Sequence, residues 1–126
     1  MAFDPGTGGM LLFGGEVAIT TPPSPPSNET WLFLRGIWLR LNPATVPPAR
    51  RLHSLATRPD FGDVFLCAGG DPGQTPEVRL LDAWRWTGNA WTAFQTKTFP
   101  HGTTANQAVY DEARKRIVLQ GGQGIS

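Results

Sequence analysis

Few residues in this 126-residue chain combine the type and spacing that chemistry needs. There is one cysteine, Cys67, one tyrosine, Tyr110, and two histidines, His53 and His101. A cysteine becomes a nucleophile when its neighbours favour the thiolate. Cys67 lies instead in the apolar run Val64-Phe65-Leu66-Cys67-Ala68, which predicts a small buried hydrophobe. A lone cysteine also excludes an intrachain disulfide. Two histidines fall short of the ligands and supporting shell of a metal site. They do not correspond in position either: His53 stands 7 residues before Asp60, whereas Thr104 stands 7 before Asp111. Both are expected to be solvated or structurally hydrogen-bonded. Asp4, Asp60 and Asp111 each open a turn-rich stretch, where an aspartate side chain bonds the backbone two residues on. They are therefore read as turn residues rather than ion ligands. Thr7-Gly8-Gly9 lacks the Gly-Lys-Ser/Thr of a phosphate loop, and no Gly-x-Ser-x-Gly occurs. These patterns assign no catalytic, metal-binding or cofactor-binding residue, and no cofactor is expected.

The aromatics are the remaining candidates. Trp31, Trp38, Trp84, Trp86, Trp91 and Phe94 are able to stack on a sugar ring. Their spacing points elsewhere. Trp31 and Trp38 are 7 apart, as are Trp84 and Trp91, and the second pair follows the first by 53 residues. Such recurrence predicts core between repeated units. Trp86 has Phe33 at the corresponding place.

Other markers share that period. Three apolar runs end in glycine pairs: Gly14-Gly15, Gly69-Gly70 and Gly121-Gly122, spaced 55 and then 52 residues apart. Asp4, Asp60 and Asp111 precede these pairs by 10, 9 and 10 residues. Each unit reads as four short strands. The first runs up to the Asp, as in His53 to Thr57 or Ala105 to Tyr110. The second is the apolar run before the glycines, predicted to be buried on both faces. The third carries the first Trp, in Thr30 to Phe33 and Ala83 to Trp86. The fourth carries the second Trp, in Ile37 to Leu39 and Ala90 to Thr92, after tight turns at Gly36 and Gly88-Asn89. Trp84 and Trp86 alternate around Arg85 with a strand's period of 2.

Composition agrees. Fifteen Gly and 12 Pro supply turns, while five Trp and seven Phe argue against disorder. Eleven Lys plus Arg against 10 Asp plus Glu give a net charge of +1, which offers nothing for nucleic acid or an anionic membrane. The N-terminus lacks a basic region followed by a long apolar stretch, and no run is long enough to span a bilayer. A soluble chain without a leader is expected. Asn28-Glu29-Thr30 is a glycosylation triplet that matters only on secretion.

A four-stranded unit near 50 residues is the signature of a β-propeller blade. Apolar run, Gly-Gly, variable loop, aromatic, six residues and Trp resembles the kelch repeat. That family usually places Tyr where Trp31 and Trp84 stand. The resemblance implies an all-β chain: a partial propeller of four-stranded antiparallel kelch-like blades, with about 10 strands, as one domain over 1–126. Its units cover about 1–43, 50–96 and 101–126, the last incomplete. Propellers close with about 4–8 blades, so about two and a half leave an apolar face at each end. Either a longer protein supplies the rest or copies associate. The terminal hairpin could then recruit the last two strands of another copy's unit.

The resemblance implies a non-catalytic scaffold that binds a protein or glycan ligand through rim loops. Those loops hold Pro22, Pro23, Pro25 and Pro26, then Asp71 and Gln74, and then the connection with Arg50 and Arg51. The proline loop shows P-x-x-P spacing, a polyproline II pattern without a flanking basic residue. The alternative is part of a galactose oxidase-like enzyme, whose copper is held by tyrosines and histidines, one tyrosine being cross-linked to a cysteine. That set would have to lie outside this chain.

Overall fold

The computed structural model describes residues 1–17, 25–71, 76, 78–96 and 104–123. Every regular element among them is a strand, and there is no helix. The first sheet holds β1 (Ala2–Asp4), β2 (Gly9–Phe13), β3 (Thr30–Leu34) and β4 (Ile37–Leu41), antiparallel in chain order. The chain then reaches β5 (Ser54–Arg58) and β6 (Asp63–Cys67). A short pair, β7 (Gly70–Asp71) with β8 (Val78–Arg79), follows, and then β9 (Ala83–Trp86) and β10 (Trp91–Phe94). β5, β6, β9 and β10 form a second antiparallel sheet in the order of the first. A hairpin of β11 (Gln107–Asp111) and β12 (Arg116–Gln120) completes the described strands. The β7–β8 pair was not expected from the sequence. Among the described residues no closed barrel forms.

The strand ends correct the sequence alignment of the units. β2 starts at Gly9, β6 at Asp63 and β12 at Arg116, so the offsets are 54 and 53 rather than 55 and 52. Ala68-Gly69, not Gly69-Gly70, matches Gly14-Gly15 and Gly121-Gly122. All six of these residues have positive φ: 67° and 100°, 63° and 92°, 74° and 99°. An apparent glycine pair is thus a left-handed pair, which Ala68 enters at a cost of about 1–2 kcal/mol. Likewise Asp60 is not the counterpart of Asp4 and Asp111. Arg58 holds that place, opposite Asp63, as Asp4 stands opposite Gly9 and Asp111 opposite Arg116.

Alternation along each strand sorts the side chains onto two faces. On the second sheet, Val64, Leu66, Trp84, Trp86 and Trp91 share one face. They pack on Ala2, Leu11, Phe13 and Leu41 of the first sheet. The other face carries Phe65, Cys67, Ala83 and Phe94, which meet Ala108, Ile117 and Leu119 of the hairpin. The three units therefore stack face to back, with β5 beside both β1 and β11. All five residues of β6 are buried, as expected for the second strand of each unit, but β2 alternates buried with half-buried residues and β12 exposed with half-buried ones, so the expectation fails in the two outer units.

The stack leaves its outer faces open. Phe3, Met10, Phe33 and Trp38 lie in one cross-strand row on the first sheet. Phe33 and Trp38 correspond to Trp86 and Trp91. Trp86 and Trp91 are 1% and 3% exposed, whereas Phe33 and Trp38 are 37% and 46% exposed. At the far end Val109 and Val118 are exposed on the hairpin.

Candidate functional site

The expected rim begins where the left-handed pairs receive the connection between the first two sheets. Gly15 donates its amide to Arg50 O at 2.9 Å, and Arg50 donates to Ser27 O at 3.3 Å. Arg51 and Gly70 exchange amide hydrogen bonds of 3.0 Å. A Cβ on Gly69 would stand 2.8 Å from Arg51 O and 2.9 Å from His53 Cβ, so close approach and positive φ both demand glycine there. One unit later, Thr104 and Gln123 repeat this exchange, and Leu52 and Ala105 repeat the same positive φ. Asn106 thus holds the place of His53.

The rim residues fare differently. Pro25 is exposed, Pro26 is half-buried, and Pro26 bridges Glu16. Asp71 is half-buried in β7. Arg51 forms an ion pair with Glu16. Hydrogen bonds therefore tie both loops and the connection into one band, which Arg79 extends by donating to Gln123 O at 3.0 Å. Pro22, Pro23 and Gln74, and also His101, lie outside the described residues.

Arg50 is a correction. It is 0% exposed and cannot meet a ligand. Its guanidinium donates to both Asp82 carboxylate oxygens at 2.8 and 2.7 Å, to Ala68 O at 3.0 Å and to Pro48 O at 3.1 Å. Two-pronged pairing is the geometry for which arginine's fork is suited. Asp82 also accepts the Trp84 indole N–H at 2.7 Å. Burial raises the Asp82 pKa, but the hydrogen bonds from Arg50 and Trp84 outweigh it and hold the carboxyl below its ordinary value. Glu29 repeats the motif in the first unit. It stands two residues before Trp31, accepts its indole N–H at 2.8 Å and pairs with Arg40 at 3.3 Å. This acid-x-Trp recurrence, Glu29 and Asp82, is legible in the sequence at the same 53-residue offset as the tryptophans.

Among the other candidates, Asp4 makes the expected turn bond, accepting from Gly6 N at 3.1 Å. Being wholly buried, it also accepts the Trp86 indole N–H at 3.0 Å, joining the two sheets. Trp91 donates to Thr30 Oγ1 at 3.0 Å across the same junction. Asp111 bonds Arg114 N at 3.1 Å. Asp60 instead reaches the hairpin, accepting from Lys115 Nζ at 2.8 Å and Tyr110 OH at 3.0 Å.

Burial pushes the Cys67 thiol up to about 12, so it is protonated and inert at neutral pH. Burial, with the charge of Arg50 beside it, pushes His53 down to about 4. His53 packs edge-on to Phe13, with ring centroids 5.7 Å apart. Its buried Nδ1 has no hydrogen-bond partner among the described residues. Among those residues no group of His, Cys, Asp and Glu could hold a metal ion. No helix there is long and apolar enough to cross a membrane. A cleft of about 310 Å³ opens between the second sheet and the hairpin, floored by Phe65, Phe94, Ile117 and Leu119.

No protein-family model matches this sequence, and no curated protein sequence matches it.

Proposed function

We propose that the chain is a kelch-type β-propeller segment acting as a non-catalytic scaffold for a protein or glycan ligand. The observation that carries the reading is the face-to-back stacking of corresponding sheets, with β1, β5 and β11 adjacent. Repeated four-stranded sheets stacked about a shared set of first strands are what a propeller is built from. Further blades, or further copies, complete the stack by covering the Phe33 and Trp38 face and the Val109 and Val118 face. Polar side chains near the rim are engaged in packing: Arg50 with Asp82, and Arg51 with Glu16. The loop surface at Pro25, Pro26 and Asp71 is the candidate recognition surface. Loops carried on a rigid scaffold are where binding concentrates.

The test is a screen of the purified chain against arrayed glycans and displayed peptides, repeated with Pro25→Gly/Pro26→Gly and Asp71→Ala. The reading predicts a saturable ligand that these variants lose while their circular dichroism spectra stay those of the parent chain. A ligand indifferent to both variants, or turnover of any arrayed sugar, would overturn it.

A further inference from the structure

We propose that a groove between the first two sheets binds a neutral glycan. The inference names the ligand class of the scaffold described above. It rests on that reading only in taking the chain to bind a ligand.

The groove consists of two hollows that share Leu41, Asn42 and Pro43, where β4 ends and the connection to β5 begins. The larger, of about 240 Å³, extends from there to Gly88 and Asn89 in the turn between β9 and β10. That turn is closed by Thr87 N donating to Ala90 O at 3.1 Å, and Gly88 takes a φ of 96°. Gly88 has no side chain to fill the hollow, and Trp86 closes its floor. The smaller hollow, of about 130 Å³, extends to Asn28 and Glu29, just beyond Pro26 in the chain. Each is below the roughly 300–1,000 Å³ of sites for drug-sized molecules. A chain-like ligand that enters both is therefore favoured over one compact molecule.

The lining decides the class of ligand. Among the described residues, no charged side chain lines the larger hollow. Its polar side chains are the amides of Asn42 and Asn89, both exposed, and neither amide has a hydrogen-bond partner among the described residues. An amide offers two donors and an acceptor, which suits hydroxyls that both donate and accept. Leu41 and Pro43 add an apolar wall for the C–H face of a sugar ring. In the smaller hollow Glu29 and Arg40 pair at 3.3 Å, their side chains 38% and 56% exposed. The Trp31 indole N–H holds Glu29 from behind at 2.8 Å. The pair sets an acceptor beside a donor, so neighbouring hydroxyls can meet both. It is also neutral as a whole: an anionic sugar would gain from Arg40 and lose to Glu29, and a cationic one the reverse. A protein ligand is disfavoured, because Trp86 is 1% exposed and leaves no aromatic surface or deep apolar pocket for a side-chain anchor.

The test titrates the isotope-labelled chain by NMR with cellotriose, maltotriose and chitotriose, and with lactose against sialyllactose as the neutral and anionic pair. At millimolar sugar, at least one neutral trisaccharide is expected to saturate, with shifts in the side-chain amides of Asn42 and Asn89 and in the Trp31 indole N–H. Sialyllactose should bind no more tightly than lactose. Asn42→Ala and Asn89→Ala should each weaken the neutral trisaccharide about 2–10-fold, the worth of one hydrogen bond, with unchanged circular dichroism spectra. Absence of shifts at both asparagines with all three trisaccharides, tighter binding of sialyllactose, or an affinity indifferent to both substitutions would overturn the proposal. A displayed peptide that binds where no neutral glycan does would overturn it too, and leave the scaffold reading standing. Turnover of a sugar held at these asparagines would instead support the groove and overturn the non-catalytic reading.

Discussion

Arg50 and Asp82 should respond unequally to mutation, although they form one pair. The guanidinium is wholly buried, whereas the Asp82 side chain is 35% exposed. Asp82→Asn leaves a buried cation without its counter-charge, and breaking a buried pair in this way costs about 3–5 kcal/mol. Arg50→Met removes the cation and leaves a carboxylate that water reaches and the Trp84 N–H still serves. Its cost should be about 1–2 kcal/mol, the scale of hydrogen bonds lost with their donor. The double variant should resemble Arg50→Met alone, because the uncompensated charge is gone. Urea unfolding followed by circular dichroism separates these outcomes. At a typical slope of about 1–3 kcal/mol per molar urea, the single variants should differ in midpoint by about 1 M. Equal losses, a larger loss for Arg50→Met, or additive losses in the double variant would show that the two charges are not unequally buried. The Asp82 carboxyl is held below its ordinary pKa when folded, so its stabilisation is present above the unfolded value of 3.8. That stabilisation should fade as pH falls through the folded value.

Three further outcomes are expected. Gly69→Ala should destabilise more than Gly15→Ala, because both have positive φ but a Cβ meets backbone within 3 Å only at Gly69; equal melting temperatures would contradict this. His53, neutral when folded down to about pH 4 and protonated when unfolded below 6.5, should make stability fall as pH drops across that window. The loss is at most about 3 kcal/mol, and His53→Gln should flatten the slope measured by urea titrations at several pH values. Trp91→Ala should cost about 3–5 kcal/mol, whereas Trp38→Ala, on the open face, should cost about 1 kcal/mol or less; comparable midpoints would show that both faces are covered.

Strands were legible because their signals are local. β9 runs from Ala83 to Trp86 as alternation around Arg85 predicts, and β6 follows its apolar run within one residue. The alignment of units was less legible, because residue identity stood in for backbone geometry. Gly69-Gly70 looks like Gly14-Gly15, yet left-handed φ at Ala68 moves the match by one residue. Asp60 looks like Asp4, yet strand ends give that place to Arg58. Burial of Arg50 depends on Asp82, 32 residues away. No short-range pattern in a Pro-Ala-Arg-Arg sequence distinguishes an arginine driven fully inward from its half-buried neighbour. The cleft was hidden for the same reason, since it is formed by Phe65 and Phe94 of one sheet and Ile117 and Leu119 of a hairpin far along the chain.

Corresponding sheets stack face to back and leave the Phe33–Trp38 and Val109–Val118 faces exposed. Sedimentation velocity across a wide concentration range shows whether these faces are covered in solution. Concentration-dependent association is expected, which Phe33→Ser/Trp38→Ser suppresses without altering the circular dichroism spectrum. A monodisperse monomer at every concentration, unfolding in one cooperative transition, would contradict it.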